Sequence, residues 1–244
     1  MTAAANCTRP WSTTVVALGL AGALSSGPAS ALTPAEVFAA VSPSVWRVQT
    51  FDVDGLLLGQ GSGVVVGVGQ VVTNCHVLAK ARRVQVRREA QQGQALPATL
   101  VQWDVQRDLC QLQVPGLQAP QVSLAPAAPA AVVGQAAYAV GHPKGLELTM
   151  SAGLVSSMRH NSARQLVLIQ TSAAISGGSS GGGLFNEQAQ LIGLTTIGSI
   201  GADAQNLNFA IPADWIADLP RRHQAALAAA QATPASAAPS TQGK

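Results

Sequence analysis

Residues 175–184 read Ile175-Ser176-Gly177-Gly178-Ser179-Ser180-Gly181-Gly182-Gly183-Leu184, so serines lie among glycines directly before an apolar segment. Glycine permits a sharp turn and lets main-chain N–H groups approach a bound carbonyl oxygen. A loop of this kind is typical of a nucleophilic serine whose neighbouring N–H groups stabilise an oxyanion. We therefore expect a reactive hydroxyl in this loop.

Two upstream segments supply the other groups that such a serine needs. They read Thr73-Asn74-Cys75-His76-Val77 and Arg107-Asp108-Leu109-Cys110. A serine hydroxyl needs a general base within hydrogen-bond reach, and the base needs a carboxylate that fixes its tautomer. We predict that His76, Asp108 and Ser180 are catalytic and that the N–H groups of Gly178 and Ser180 form an oxyanion hole.

Each of these assignments has an alternative. Asp104 is a second carboxylate near Asp108, but it comes before the strand and is more typical of a loop or capping residue. Ser179 is a second candidate nucleophile. The pattern Gly-x-Ser-x-Gly at 178–182 also fits the α/β-hydrolases, yet that fold requires its acid and histidine after the serine and an alternation of strands and helices. The order of residues here disfavours the α/β-hydrolase interpretation.

Composition limits the class of protein. The chain has 244 residues, 48% of them hydrophobic, which is enough for one all-β domain with a sizeable core. The formal net charge of +3 is too small to indicate nucleic acid or an anionic membrane as a partner. No metal-ligand spacing occurs among the histidines and cysteines, and we predict neither a metal nor a cofactor.

Short β-type segments separated by turn residues occur in two sets, which predicts closed or sandwiched antiparallel sheets. The first set comprises 45–51, 56–66, 70–73, 83–88, 96–101 and 109–114, and the second comprises 136–140, 146–156, 165–171, 182–185, 191–196 and 207–211. A Pro- and Ala-rich segment near 115–130 is typical of a linker between them. We predict a short C-terminal helix over 213–219, interrupted at Pro220, and a disordered tail over 223–244.

The N-terminus has the features of a secretory signal peptide. Arg9 precedes an apolar segment at 15–24, and Ala29-Ser30-Ala31 is a small-x-small cleavage site. We therefore predict a leader at 1–31, a mature chain that begins at Leu32, a periplasmic or secreted location and no stable membrane anchor after cleavage. An uncleaved N-terminal anchor is the alternative.

Several motifs together resemble the trypsin-like serine proteases of the Deg/HtrA type over residues 32–219. The motifs are Gly61-Ser62-Gly63-Val64, Val72-Thr73-Asn74-Cys75-His76-Val77, Asp108-Leu109, Gly141-His142-Pro143-Lys144-Gly145-Leu146, Ile169-Gln170-Thr171-Ser172-Ala173-Ala174-Ile175 and Asn208-Phe209-Ala210-Ile211-Pro212. The resemblance implies a chymotrypsin-like fold over 32–222, with two six-stranded antiparallel β-barrels and the active site in the cleft between them. It also implies protein or peptide substrates and is compatible with a homo-oligomer.

The resemblance assigns further residues by position. It implies that Ala174 lies at the base of the specificity pocket, that the Thr196 hydroxyl supports Asp108, and that the backbone of Thr196, Ile197 and Gly198 pairs with an extended substrate. Members of this type usually carry a PDZ domain after the protease, and we expect none in this chain. Their serine loop usually holds Asn or Pro where glycine and serine occur here, which predicts a less preorganised oxyanion hole.

Assembly of the triad brings Cys75 and Cys110 close together, since each is adjacent to a catalytic segment. We predict a disulfide between them in an oxidising compartment, and two buried reduced thiols are the alternative. Two functions remain open. The first is an active serine endopeptidase, and the second is a catalytically impaired protease fold that binds peptides or acts as a chaperone.

Overall fold

The computed structural model describes residues 1–2, 31–88, 95–126, 131–196 and 207–232. Most of the predicted leader, Ile197 and Gly198 of the predicted substrate strand, and the last twelve residues of the predicted tail lie outside the described residues. The described part holds both sets of predicted strands.

The first set of strands forms a closed six-stranded antiparallel barrel. Its strands are β1 (Val45–Phe51), β2 (Leu57–Gly67), β3 (Gln70–Thr73), β4 (Arg83–Arg87), β5 (Leu96–Asp104) and β6 (Leu109–Gln113). They pair in the order β1-β2-β3-β6-β5-β4, and β4 pairs with β1 to close the barrel.

The second set forms a sheet that closes in the same way. Its strands are β7 (Ser123–Leu124), β8 (Ala136–Gly141), β9 (Thr149–His160), β10 (Leu166–Thr171), β11 (Gly183–Phe185), β12 (Gln190–Thr196) and β13 (Asn208–Pro212). Six of them follow the order β11-β8-β9-β10-β13-β12, and β11 also pairs with β12. The short β7 adds to β12 in parallel. The predicted fold of two six-stranded antiparallel barrels is confirmed.

Alternation along β2 explains why this strand has apolar residues on both faces. Val65 points into the first barrel, where it packs with Val48 and Val71. Its neighbour Val64 points the other way, into a cluster that includes Val140 of the second barrel. Successive side chains of a strand lie on opposite faces, so one strand contributes both to its own barrel's core and to the contact between the barrels. Residues of both barrels therefore meet in one buried apolar cluster at this contact.

A short helix precedes the first barrel. It is α1 (Pro34–Val41), and Thr33 and Glu36 form a capping box at its start. Val37 and Val41 are buried in the cluster between the barrels. The segment that joins the barrels is packed as well, because Leu117 and Val122 are buried and the Val122 N–H donates to Val65 O at 2.9 Å.

The C-terminal helix corrects the sequence-based prediction. It is α2 (Trp215–Ala232), and Pro220 lies inside it without ending it. A proline here removes one intrahelical hydrogen bond, but contacts after Pro220 keep the helix on the protein. Arg222 Nε donates to Asp104 Oδ2 at 2.7 Å, and the His223 ring packs edge-on against Trp103. The predicted interruption is therefore wrong, and residues 223–232, which we assigned to a disordered tail, are helical.

No helix in the described part is long and apolar enough to cross a membrane.

Candidate active site

His76 and Asp108 lie together where two strands of the first barrel end. His76 follows β3 in a 3₁₀ turn, and Asp108 directly precedes β6, which pairs with β3. His76 Nδ1 lies 2.7 Å from Asp108 Oδ2, and the His76 main-chain N–H donates to Asp108 Oδ1 at 2.9 Å. Both carboxylate oxygens are therefore occupied by one histidine, which fixes the orientation of its ring.

The backbone of Asp108 adopts the left-handed conformation, with φ 55°. Asp and Asn are the non-glycine residues that tolerate this region best. The Asp108 carbonyl accepts hydrogen bonds from Asn74 Nδ2 at 3.0 Å and from the Cys75 N–H at 3.3 Å. The Thr196 hydroxyl of β12 donates to Asp108 Oδ2 at 3.4 Å, so this carboxylate oxygen contacts both His76 and Thr196.

Asp104 has the structural role that its position before β6 indicates. Its carboxylate accepts from the Arg107 N–H at 3.3 Å and from Arg222 Nε at 2.7 Å. Burial alone would raise the pKa of Asp104, but the hydrogen bonds and charges of Arg222 and Arg107 outweigh burial and lower that pKa. Asp104 therefore caps a turn and anchors α2, and makes no contact with His76.

The loop that carries Ser180 is held through four consecutive carbonyl groups. The carbonyl of Gly177 accepts from the Lys144 N–H, that of Gly178 from Ser62 Oγ at 2.9 Å, and that of Ser180 from the Ser62 N–H at 2.8 Å. The Ser179 carbonyl accepts from Thr195 Oγ1 at 2.6 Å. The glycine-rich sequence predicts a less preorganised loop, but these hydrogen bonds fix its carbonyl groups from three different segments.

The opposite edge of the same loop presents free donors. Among the described residues, the N–H groups of Gly178 and Ser180 donate to no acceptor. Ser180 Oγ is buried and likewise has no hydrogen-bond partner in the described part of the chain. An oxyanion hole requires main-chain N–H groups that are free to donate, and these two N–H groups meet that condition.

Two glycines of the loop are required by the backbone. Gly178 has φ 91°, and a Cβ there would lie 2.6 Å from His142 O. Gly181 has φ 82°, and a Cβ there would lie 2.2 Å from Ser62 O. A side chain at either position would adopt a strained conformation and would also clash with main-chain atoms. By contrast, a Cβ on Gly177 would meet nothing within 4 Å.

His142 supports the loop through its backbone and not through its imidazole. Its N–H donates to Ser62 Oγ at 2.9 Å. Burial, with a contribution from the charge of Arg47, lowers the pKa of His142 to about 4, so the buried ring is neutral near pH 7. In the residues that the structure describes, no cluster of three or more His, Cys, Asp or Glu side chains could hold a metal ion.

A pocket of about 150 Å³ lies beside the serine loop. Its walls include Ala139, Gly141, Ser151 and Ala174, and Ser151 Oγ donates to Ala174 O at 2.6 Å. The described lining residues include no carboxylate. Ala174 therefore lines a small pocket whose described lining carries no charge.

The family of the chain follows from comparison with known proteins. The family model described as "trypsin-like peptidase domain" matches residues 61–194, which is more than half of the chain and includes His76, Asp108 and Ser180. The chain belongs to the trypsin-like peptidases. Its resemblance to the Deg/HtrA type is confirmed as well, because the proteins that it is similar to include the endoprotease DegQ and an HtrA-type protease of known structure.

Among trypsin-like peptidases, the chain is similar to serine protease PepD of Mycobacterium tuberculosis, with 35% identity over 223 residues that cover 80% of this chain and 47% of the relative. It is 35% identical over 163 residues to the periplasmic pH-dependent serine endoprotease DegQ of Escherichia coli, covering 64% of this chain and 35% of the relative. The chain thus spans about half or less of the length of these curated relatives. The solved structure of the HtrA-type protease AlgW with a tripeptide matches with a TM-score of 0.68 and 29% identity, covering 77% of this chain and 62% of that chain.

Cys75 and Cys110 form the predicted disulfide, with their Cα atoms 5.0 Å apart. The bond joins the segment of His76 to the strand that follows Asp108, and it closes a loop with a sequence separation of 35 residues. Closing a loop of this length restricts the unfolded chain more than the folded one.

We expect the double variant Cys75→Ala/Cys110→Ala to lose about 3–4 kcal/mol of unfolding free energy, from the loop-length relation. Chemical denaturation of the purified protein measures this loss. Wild-type protein treated with a reductant is the matched control, since it loses the bond but keeps both sulfurs. A double variant as stable as the oxidised wild type would contradict the prediction.

The sequence analysis missed three residues that hold the site together. The carbonyl groups of the serine loop are held by Ser62, Lys144 and Thr195. Ser62 and Lys144 lie 118 and 36 residues before Ser180 in the chain, and Thr195 lies 15 residues after it. Ser62 and Lys144 occur in motifs that carry the resemblance, but nothing in those motifs indicates which carbonyl each residue binds. Only the packing of the two barrels brings them to the loop.

Proposed function

We propose that this chain is a serine endopeptidase that cleaves peptide bonds through an acyl-enzyme intermediate. The arrangement of His76 and Asp108 is the observation that carries the proposal. Asp108 accepts from the main chain of His76 and lies at hydrogen-bond distance from Nδ1. A proton held on Nδ1 leaves Nε2 unprotonated, and Nε2 then serves as the general base.

The proposed reaction has two stages, acylation of Ser180 and hydrolysis of the acyl-enzyme. Ser180 Oγ attacks the substrate carbonyl while its proton passes to His76 Nε2, and the negative charge develops on the carbonyl oxygen. The N–H groups of Gly178 and Ser180 stabilise that oxygen. The protonated imidazole gives its proton to the leaving amine, and water then hydrolyses the acyl-enzyme by the same route. Ser180 Oγ has no hydrogen-bond partner among the described residues, and catalytic hydrogen bonds often tighten only in the complex with substrate.

The small pocket predicts the residue that the enzyme prefers immediately before the cut. It offers about 150 Å³ and, in its described lining, no carboxylate to pair with a cation. Burying an unpaired Lys or Arg side chain is costly. We expect a peptide library to favour Ala and Val over Arg and Lys at this position by about tenfold or more. Equal cleavage of aliphatic and basic libraries would contradict the assignment of this pocket.

The substrate backbone is proposed to add as a strand beside Thr196, Ile197 and Gly198. We also propose a periplasmic or secreted location and a role in protein quality control. The relative DegQ is named a periplasmic endoprotease, and the predicted leader at 1–31 points to the same compartment.

A second candidate function is peptide binding without cleavage. The unpartnered Ser180 hydroxyl favours this alternative, because an inactive protease fold would keep its substrate cleft but not its activated nucleophile. Reaction with a fluorophosphonate separates the two functions, since only an activated serine is phosphonylated rapidly.

The test is to incubate the purified protein with a fluorophosphonate probe and, separately, with casein. An active endopeptidase takes up one label per chain on Ser180, located by peptide mass spectrometry, and degrades casein. Binding of casein with neither label nor fragments would overturn the proposal in favour of the second candidate. Label on Ser179 would show that the nucleophile is assigned to the wrong serine.

A further inference from the structure

Thr195 of β12 makes three hydrogen bonds to the serine loop. Its N–H donates to Gly182 O at 2.9 Å, and its carbonyl accepts from the Gly181 N–H at 2.8 Å. Its hydroxyl donates to Ser179 O at 2.6 Å, and the residue is 1% exposed. The two main-chain bonds would remain with any side chain, so the hydroxyl is the part of Thr195 that a substitution can remove.

The carbonyl that the hydroxyl binds belongs to the same peptide group as the Ser180 N–H. A trans peptide is planar, and its C=O and N–H point in opposite directions. A hydrogen bond that fixes Ser179 O therefore also fixes the direction of the Ser180 N–H. That N–H has no acceptor among the described residues, which leaves it pointing away from Thr195 and available to a ligand.

We propose that Thr195 is a positioning residue whose hydroxyl aligns the Ser180 N–H for the oxyanion. The inference rests on the proposed function, and it adds a second role to strand β12, which already contacts Asp108 through Thr196. The next residue, Thr196, points to the other face of the strand, where its hydroxyl reaches Asp108. Two consecutive hydroxyls of β12 thus position the carboxylate and one oxyanion donor.

The second oxyanion donor is positioned in a different way. The carbonyl at the other end of the Gly178 peptide belongs to Gly177, and it accepts from the main-chain N–H of Lys144. A side-chain substitution cannot remove that bond. Thr195 is therefore the side chain through which one donor can be misaligned while the other keeps its direction.

Loss of the hydroxyl should tilt the Ser179–Ser180 peptide without releasing the loop. Ser179 O also accepts from the Gly182 N–H at 2.9 Å, so it keeps one partner in Thr195→Val. We expect kcat to fall about tenfold, less than the 10²–10³-fold that follows removal of a donor. Because the donor acts on the oxyanion and not on the bound substrate, KM should change by no more than about twofold.

The experiment compares Thr195→Val, Thr195→Ser and a matched control, Thr50→Val. Thr50 is a buried threonine of the first barrel whose hydroxyl donates to Gly59 O at 3.1 Å, so the control removes the same kind of bond away from the loop. Steady-state hydrolysis of a peptide substrate gives kcat and KM. Inhibition by a peptide aldehyde gives a second readout. Ser180 Oγ adds to the aldehyde carbon while its proton passes to His76 Nε2, and the carbonyl oxygen takes the electron pair of the broken π bond and binds in the hole.

We expect aldehyde affinity to fall by the same factor as kcat/KM in Thr195→Val, to recover to within about threefold of wild type in Thr195→Ser, and to stay unchanged in Thr50→Val. Thr195 also lines the small pocket, so a rise in KM with unchanged kcat would assign it to substrate binding and overturn the inference. Wild-type kinetics in Thr195→Val would overturn it as well. A wild-type protein that neither cleaves peptides nor takes up fluorophosphonate would overturn the proposed function itself, and this inference with it.

Discussion

Replacing Ser180 by alanine is expected to lower kcat by about 10⁴–10⁶-fold, and His76→Ala should do the same, because members of a nucleophile–base pair act as a unit. The structure makes Ser180→Ala a clean test. Ser180 Oγ makes no hydrogen bond in the described part of the chain, so its removal leaves each carbonyl of the loop with its donor. The variant should therefore unfold at the same denaturant concentration as wild type.

Rates of peptide hydrolysis and fluorophosphonate labelling measure the effect. The matched control is Ser179→Ala, which alters the neighbouring serine and should still be labelled at Ser180. Loss of label in Ser179→Ala together with retention in Ser180→Ala would move the nucleophile to Ser179. Residual activity of Ser180→Ala within about tenfold of wild type would rule out acyl-enzyme catalysis at this serine.

The barrels could be predicted because their strands have patterns that depend on near neighbours. Val64 and Val65 illustrate this, since adjacent apolar residues on a strand imply that both of its faces are buried. The approximate ends of twelve strands followed from turn residues. The capping-box pattern of Thr33 and Glu36 at the start of α1 is a signal of the same local kind. Such signals lie within a few residues of the feature that they specify.

The course of the C-terminal helix could not be predicted in the same way. Proline lowers local helix propensity, so Pro220 indicated an interruption. The contacts that override this preference come from Asp104 and Trp103, more than a hundred residues earlier in the chain. A local pattern carries no information about such partners, and tertiary packing decided the outcome.

The candidate site could likewise be predicted only where its signals are local in the sequence. The positions of His76, Asp108 and Ser180 could be proposed from chain order, since each residue occurs where a strand ends. The residues that hold the carbonyl groups of the serine loop could not be proposed in this way. Serine and threonine are common in strands, and nothing in the sequence near Ser62 or Thr195 indicates which carbonyl its hydroxyl binds. The Lys144 bond is harder still, since it uses a main-chain N–H in a turn with φ 50°, which any residue type could supply at some cost.

Asparagine substitutions at Asp108 and Asp104 distinguish the proposed catalytic carboxylate from the structural one. Asp108 has two donors to satisfy, the main-chain N–H of His76 and its ring nitrogen Nδ1. Asparagine has a single acceptor oxygen. If that oxygen accepts the main-chain N–H, the amide NH₂ faces Nδ1, and the ring must carry its proton on Nε2, where it cannot accept one from Ser180. We expect Asp108→Asn to lower kcat by about 10⁴-fold at pH 7.

The fold should survive this change, because asparagine tolerates the left-handed backbone of residue 108 as well as aspartate does. Asp104→Asn is the matched control, being the same substitution four residues earlier. It removes the charge that pairs with Arg222, so we expect it to lose about 1–3 kcal/mol of unfolding free energy. Its kcat/KM should stay within about threefold of wild type, because Asp104 does not contact His76. Steady-state kinetics and chemical denaturation of both variants decide the assignment. Loss of catalysis in Asp104→Asn with retention in Asp108→Asn would mean that the carboxylate has been assigned to the wrong residue.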